Sequence, residues 1–220
     1  MGNDLRYGII GAGSMGREHI QNLKIMGGVE IAAISDPYQP SQQAAAALAP
    51  SAKLFSDHRT LLEDSNLDAI IIATPNDTHA AVLKDALATN LAVFVEKPLA
   101  TNVEDLKSIL KWNENRSEIT WVGLEYRFIP PVAEAIARAN SGAVGKVQQV
   151  SIREHREPFY SKIDNWNRFA ERTGGTLVEK CCHYFNLMDL IIGQQPIRVF
   201  ASGSQSVNHL DEVYGSKSAN

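Results

Sequence analysis

The chain has 220 residues, of which 44% are hydrophobic and 21% are charged, a composition typical of a folded globular protein. A formal net charge of −4 and the lack of any basic run argue against a nucleic-acid-binding surface, and no apolar run approaches membrane-spanning length. The first apolar strand begins too early for a signal peptide, and the two cysteines, Cys181 and Cys182, are adjacent, which suits a reducing compartment. We therefore expect a cytoplasmic protein with a small-molecule partner and no nucleic-acid, membrane or metal partner.

A glycine-rich turn follows the first predicted strand. Residues 7–10 are a short apolar run, and a helical pattern through Met26 begins after the turn. In a dinucleotide fingerprint the first glycine permits a tight turn, the second admits a pyrophosphate, and the third lets the helix pack on the strand. The helix N-terminus adds N–H groups and a positive dipole. The predicted cofactor-binding residues of this turn are Gly11, Gly13, Ser14, Met15 and Gly16.

An acidic residue ends the second predicted strand. The strand over 29–35 leads into Asp36, about 20 residues after Gly16, as the fingerprint requires. A carboxylate at this position binds both ribose hydroxyls of NAD and repels the 2′-phosphate of NADP, and residues 37–40 offer no cation to offset that repulsion. We predict NAD as the cofactor, preferred over NADP. The alternative is a glycine turn and a helix-capping aspartate without a ligand.

Strands and helices then alternate, which predicts a doubly wound parallel sheet of the Rossmann type. Helices are predicted over 41–48 and 60–63, and strands over 53–55 and 69–73. The second of these strands runs into a polar turn at the carboxyl edge that the glycine loop also occupies. Thr74, Pro75, Asn76 and His79 of this turn are candidate cofactor contacts. Turn formation and helix capping are the alternative role for Asn76, and a structural role is the alternative for His79.

The next strand, over 91–95, ends in Glu96-Lys97-Pro98. Because proline disfavours the α region for the preceding residue, Lys97 should be extended, with its ammonium at the carboxyl edge of the sheet. Lys97 is therefore a candidate proton donor, and the alternative is a surface lysine in an ordinary turn. A capping box at 101–104 predicts a helix to about Asn115, and 119–124 predicts a sixth strand.

These motifs together resemble the glucose–fructose oxidoreductase, inositol dehydrogenase and MocA family. The resemblance rests on the glycine turn with His19, on the Thr74–His79 turn and on Glu96-Lys97-Pro98, and it covers about residues 5–125. It implies an NAD(P)-dependent oxidoreductase acting on a sugar, polyol or inositol-like substrate, with Glu96 and Lys97 at the cofactor. It also implies a cis peptide bond between Lys97 and Pro98.

The second half is predicted to be an incomplete α+β substrate domain over residues 126–220, after an NAD-binding domain over 1–125. A helix is predicted through 135–139, strands over 147–157 and 197–207, and a helix over 176–192. The long connection over 158–175 contains Trp166, a plausible wall for a carbohydrate. Arg127 resembles the arginine at the family's crossing between domains, where it helps to shape the site or forms an anchoring ion pair.

Glu179 and His183 are one helical turn apart in the predicted helix over 176–192 and so share a face. The resemblance makes both catalytic, with Lys97 or His183 taking the hydroxyl proton and Glu179 orienting them. A helix cap is the alternative for Glu179. The family usually has Asp at positions 179 and 186, where this chain has Glu179 and Asn186.

Two functions remain open at this stage. The first is hydride transfer between nicotinamide and a hydroxyl-bearing carbon. The second is a catalytically silent NAD-binding sensor or a truncated remnant. Family members continue past Asn220, so the chain is expected to be truncated, and the full-length form is expected to be a homo-oligomer.

Overall fold

The computed structural model describes residues 4–63, 66–155, 157, 159–204, 210, 212–214 and 217–218. These residues belong to two compact units, Met1–Gly123 and Leu124–Asn220. The strands of the first unit are β1 Leu5–Ile10, β2 Val29–Ser35, β3 Lys53–Phe55, β4 Ala69–Ile72, β5 Ala92–Glu96 and β6 Thr120–Gly123. Its helices are α1 Ser14–Met26, α2 Gln39–Ala46, α3 His58–Leu62, α4 His79–Ala86 and α5 Val103–Asn113.

The six strands form one sheet in the order β3-β2-β1-β4-β5-β6, and every neighbouring pair is parallel. In the centre of the sheet, Ile9 of β1 lies opposite Ile34 of β2 and Ile71 of β4. This order is the doubly wound arrangement of a dinucleotide-binding fold, with all carboxyl ends at one edge. The predicted α/β fold class is therefore confirmed.

The sheet is buried on both faces because successive side chains of a strand point to opposite sides. Ile9 and Ile71 pack in one cluster with Ile20 of α1. Ile70 and Ile72 pack in a second cluster, which includes Leu83 of α4 and other helical side chains. Each fully buried side chain of this size contributes about 1.5–3 kcal/mol. The continuous apolar runs thus form strands covered by helices on both sides.

Helix ends in the first unit differ from the prediction by one or two residues, and two of the differences have a clear cause. The cap of α5 is Asn102, whose Oδ1 accepts a hydrogen bond from the Asp105 N–H at 2.8 Å, so the capping box predicted at Thr101 is wrong by one residue. Asparagine is at least as good a cap as threonine, and the backbone of Asn102 is extended. Helix α2 begins at Gln39 rather than at residue 41, because Pro40 fits the first helical turn.

The second unit is built mainly from short helices. They are a 3-10 turn over Glu125–Phe128, α6 Pro130–Asn140, a 3-10 turn over Ile163–Arg168, α7 Ala170–Thr173, α8 Thr176–Glu179 and α9 Cys182–Ile192. A short antiparallel pair, β7 Val213–Tyr214 and β8 Lys217–Ser218, was not predicted from the sequence. Among the described residues, no helix combines the length and apolar character needed to cross a bilayer.

The two strands predicted in the second unit are not formed. Residues 147–155, 157 and 197–204 are in no strand, while 156 and 205–207 lie outside the described residues. Ile197 and Phe200 are 101% and 92% exposed. Alternating apolar and polar residues identify a side-chain pattern, but a strand also needs a backbone partner, and no described segment pairs with either stretch.

The helix predicted over 176–192 is interrupted between α8 and α9. The N–H groups of Lys180 and Cys181 both donate to Thr176 O, at 3.0 and 3.2 Å, so the second bond spans five residues instead of four. Glu179 ends α8, whereas His183 lies in the first turn of α9. The prediction of one continuous helix is therefore wrong, and the widened turn falls between the two predicted catalytic residues.

Candidate functional site

The glycine loop between β1 and α1 is packed tightly against the end of β4. The Gly11 N–H donates to Ser35 O at 2.8 Å, and Gly11 has a φ of +93°. A Cβ on Gly11 would lie 2.6 Å from the carbonyl of Ala73, and a Cβ on Gly16 would lie 1.9 Å from Gly11 O. Both positions therefore exclude a larger side chain.

Gly13 differs from Gly11 and Gly16 in having open space around it. A Cβ added there would meet no described atom within 4 Å. Gly13 precedes α1, and the exposed Ser14 and half-buried Met15 begin that helix. An open cradle above a helix N-terminus fits the pyrophosphate of a dinucleotide, because the free N–H groups and the dipole favour an anion.

The carboxylate of Asp36 is fixed beside this loop. Its Oδ2 accepts a hydrogen bond from the Ala12 N–H at 2.7 Å, and its Oδ1 accepts one from the Tyr38 N–H at 2.8 Å. Each carboxylate oxygen has a second lone-pair direction, so both can also accept from ribose hydroxyls. The acidic residue is thus oriented by the backbone of the glycine loop itself.

His79 joins the turn after β4 to the turn after β5. Its side chain is completely buried, with Nδ1 at 2.7 Å from Pro98 O and Nε2 at 3.0 Å from Thr74 O. In the first of these turns, the Thr78 hydroxyl contacts Thr74 Oγ1 at 2.8 Å and Pro75 O at 2.7 Å. Asn76 begins a 3-10 turn over Asn76–Thr78 and is buried.

Burial lowers the pKa of His79 from its ordinary value of 6.5. The carbonyls of Pro98 and Thr74 and the carboxylate of Glu96 act in the opposite direction, because they favour the charged ring. Lys97 adds to the lowering. Since a neutral imidazole carries one N–H, it donates to only one of its two carbonyl neighbours at a time.

Lys97 follows β5 and is half-buried, and its peptide bond to Pro98 is cis, as the resemblance implied. The preceding carboxylate, Glu96, is 9% exposed and accepts from His19 of α1, with Nε2 and Oε1 2.7 Å apart. His19 also packs edge-on against Phe94, with the ring centroids 5.0 Å apart. The carboxyl edge of one sheet therefore brings together the glycine loop, Asp36, the Thr74 turn and Lys97.

In the second unit, His183 is 2% exposed and stacks on Tyr126, with the ring centroids 4.1 Å apart and the planes at 13°. Its Nε2 lies 3.6 Å from Glu125 Oε1. Glu125 and Tyr126 belong to the 3-10 turn over Glu125–Phe128, which packs against α9. The imidazole is thus held by an aromatic face and a carboxylate that the sequence analysis did not connect with it.

The other predicted residues of this unit are half-buried. Glu179 ends α8, and Asn186 lies in α9. Arg127 lies in the 3-10 turn before α6, and its buried Nε has no hydrogen-bond partner among the described residues. Trp166 lies in the 3-10 turn over Ile163–Arg168, with the Arg172 guanidinium carbon 5.9 Å from its ring centroid.

A polar network around Lys180 was missed by sequence reasoning. Lys180 is 6% exposed, and its ammonium donates to the Tyr126 hydroxyl and lies 3.4 Å from Glu154 Oε1. The Tyr184 hydroxyl donates to Glu154 Oε2. Burial and this hydrogen bond raise the pKa of Tyr184. A lysine in the apolar stretch between α8 and α9 was the only signal that the sequence offered.

The two cysteines are half-buried, and neither forms a disulfide. Burial, followed by the charge of Glu154, raises the pKa of the Cys181 thiol. Among the residues that the structure describes, no group of three or more His, Cys, Asp or Glu side chains could hold a metal ion.

Comparison with known proteins gives two family matches. Residues 5–124 match a sequence model described as the oxidoreductase family with an NAD-binding Rossmann fold, and residues 137–216 match its C-terminal alpha/beta domain. Myo-inositol 2-dehydrogenase of Thermotoga maritima is 27% identical over 93% of this chain and 60% of its own length. The NAD⁺-dependent scyllo-inositol 2-dehydrogenase of Bacillus subtilis is 27% identical over 98% of this chain and 62% of its own length.

A solved structure with a similar fold is that of the WlbA dehydrogenase from Bordetella pertussis in complex with NADH and UDP-GlcNAcA. It superposes with a TM-score of 0.75 at 25% identity, covering 86% of this chain and 56% of that protein. The chain thus spans about three-fifths of the length of the curated relatives it matches.

Proposed function

This chain belongs to the oxidoreductase family that joins an NAD-binding Rossmann fold to a C-terminal alpha/beta domain, and we propose that it acts as an NAD-dependent dehydrogenase. The reaction moves a hydride between nicotinamide and a hydroxyl-bearing carbon of a sugar, polyol or inositol-like substrate. The observation that carries the proposal is the shared edge of one sheet, where the open glycine cradle, the fixed Asp36 carboxylate and Lys97 occur together. Residues 1–125 are assigned to cofactor binding and 126–220 to the substrate.

The dehydrogenase is favoured over the silent NAD-binding protein by the names of its relatives, which are inositol dehydrogenases. Inositols are the first substrates to test. We also propose that the full-length protein is a homo-oligomer in the cytoplasm. Light scattering of the purified protein and fractionation of cells test these two statements.

NAD is proposed as the preferred cofactor because of Asp36. Both of its carboxylate oxygens accept backbone N–H groups, which orients the carboxylate. The fixed negative charge would repel the 2′-phosphate of NADP, and the next four residues carry no cation to offset that repulsion. We expect kcat/KM to be at least about tenfold higher with NAD than with NADP, which corresponds to about 1.4 kcal/mol. Equal values would contradict this role for Asp36.

Bound nicotinamide supplies the acceptor for the hydride. The residues proposed to form the cofactor site are Gly11, Gly13, Ser14, Met15, Gly16, Asp36, Thr74, Pro75, Asn76, His79, Glu96 and Lys97. The completely buried His79 would act by shaping the two turns that it joins.

Lys97 and His183 are proposed to handle the hydroxyl proton, one as the base and the other as a polarising or relaying group. Glu179 would orient them, while Arg127 and Trp166 would contact the substrate. Asn186 cannot act as a base, because its amide has no proton-accepting nitrogen or carboxylate.

Substitution of Lys97 tests the proposal. Lys97→Ala should lower kcat by about 10²–10⁴, the usual contribution of a positioned acid or base, and should change the Kd for NAD much less, because most of the proposed cofactor contacts remain. Lys107→Ala, which removes an exposed lysine from α5, is the matched control and should keep wild-type turnover. The assay follows the absorbance of reduced nicotinamide with myo-inositol and scyllo-inositol. Wild-type turnover by Lys97→Ala would reject its role.

A further inference from the structure

Lys180 is a buried cation that the proposed reaction does not yet use. It is 6% exposed, and its ammonium has two protein partners. The ammonium donates to the Tyr126 hydroxyl and lies 3.4 Å from Glu154 Oε1. The usual place for lysine is the protein surface, and a buried lysine needs partners that offset its lost hydration. Here the partners are a carboxylate and a phenol that belong to other segments of the unit.

Tyr126 connects this cation to His183. Its hydroxyl accepts from Lys180, while its ring lies flat against the imidazole, with 4.1 Å between the ring centroids. The Lys180 ammonium is 4.3 Å from the centroid of the same ring. The ammonium and the imidazole are therefore within about one Debye length (~8 Å) of each other, in a partly buried setting where screening is weak.

The backbone between α8 and α9 also favours the position of Lys180 beside Tyr126. The widened turn at Thr176 O, which accepts from both Lys180 and Cys181, interrupts the helix at the lysine. Such local widening of a helix is frequent at functional sites. The turn places Lys180 in one network with residues 126 and 154, and places His183 in the first turn of α9.

We propose that Lys180 is a positioning residue for His183, which fixes the Tyr126 ring beneath the imidazole and, together with Glu154, sets the charge beside it. The proposal rests on the proposed role of His183 in proton transfer. Lys180 disfavours the protonated imidazole, while Glu154 offsets that effect. Tyr184 holds the other oxygen of Glu154 and keeps the carboxylate in place.

Other charged groups near His183 stay constant in the test. Glu125 lies 3.6 Å from its Nε2, and Arg127 belongs to the same turn. On α6, Glu134 and Arg138 pair with each other at 2.6 Å and are exposed. Glu179 of α8 and Asp189 of α9 are the remaining charges on the elements that pack against or include His183.

The experiment compares two substitutions that remove opposite charges. In Lys180→Gln the amide can still donate to Tyr126 but carries no charge, so the acid limb of kcat/KM for myo-inositol oxidation should move to higher pH by about 0.5–1 unit. Glu154→Gln should move the limb to lower pH. Lys180→Arg should restore the wild-type limb, and Lys146→Met, at an exposed lysine of the same unit, should not move it.

A second readout separates this proposal from the proposed function. The His183 C2–H resonance is titrated by NMR without substrate, in the wild type and in both charge variants. Absence of any polyol turnover by the wild type would reject the dehydrogenase, whereas the NMR titration would still test Lys180. Shifts of opposite sign in Lys180→Gln and Glu154→Gln support the proposal. Titration curves that do not move in folded variants, as judged by circular dichroism, would overturn it.

Discussion

Gly13 and Gly16 belong to the same loop, but a side chain at each position would have a different effect. A Cβ on Gly16 would lie 1.9 Å from Gly11 O, whereas a Cβ on Gly13 would meet no described atom within 4 Å. Gly16→Ala therefore forces the backbone apart, while Gly13→Ala leaves the apoprotein intact and fills the cradle that a pyrophosphate would enter.

We expect Gly13→Ala to keep the wild-type free energy of unfolding within about 0.5 kcal/mol and to weaken NAD binding at least about tenfold. Gly16→Ala should lower the free energy of unfolding by about 2 kcal/mol or more. Urea denaturation and NAD titration by calorimetry measure both effects. Equal losses of stability in the two variants would contradict the distinction.

The sequence was most informative where function depends on backbone and spacing. The glycine turn, Asp36 and Lys97-Pro98 are close to strand ends in the chain, so their common edge follows from strand order alone. The His19–Glu96 and Lys180–Tyr126 contacts join residues far apart in the sequence. Such pairs depend on side-chain directions in the folded molecule, and a sequence pattern of period 2 or 3.6 does not contain them.

At the scale of elements, His79 links the turn after β4 to the turn after β5 through Thr74 O and Pro98 O. Burial lowers its pKa below the ordinary value of 6.5, so between these two values the unfolded chain binds more protons than the folded chain. Acidification therefore favours unfolding. The contribution of His79 to stability is complete above about pH 6.5 and declines as the pH falls towards the folded pKa.

His79→Gln should remove this part of the pH dependence and lower the free energy of unfolding at neutral pH by about 1–3 kcal/mol, because the amide does not fill the buried space of the imidazole ring. Urea denaturation at pH 7.5 and pH 5.5 gives both quantities. His155→Gln, at an exposed histidine, is the control and should keep the wild-type difference between the two pH values. An unchanged difference in His79→Gln would show that another group titrates.

Elements of the first unit were predictable because its central strands contain continuous apolar runs that turn signals separate from the helices. The differences there are at element ends, such as the cap at Asn102 in place of Thr101, and in α4, for which no bounds were predicted. In the second unit, alternation over 147–157 predicted a strand, and a second strand was predicted over 197–207, but the described residues form neither. Pairing requires a second strand, and its presence is not encoded in the local pattern of the first.

For the molecule as a whole, the buried apolar side chains are unevenly divided between the two units. Among the described residues, every apolar side chain of the buried core belongs to the first unit except Leu187. Both clusters that cover the sheet also lie entirely within the first unit. Stability should therefore be concentrated in the unit that carries the glycine loop, Asp36 and Lys97.

We expect residues 1–123, expressed alone, to unfold cooperatively, with a Tm within about 5 °C of the main transition of the 220-residue chain, because the buried core is the main source of stability. The fragment should also bind NAD, since the proposed contacts of the cofactor lie before Gly123. Calorimetry with and without NAD measures both properties, and NAD should raise the Tm of the fragment by mass action. Gly13→Ala in the same fragment is the control, because it should keep the Tm without NAD and lose most of the increase. A fragment that lacks a cooperative transition would show that the first unit needs residues 124–220 to fold.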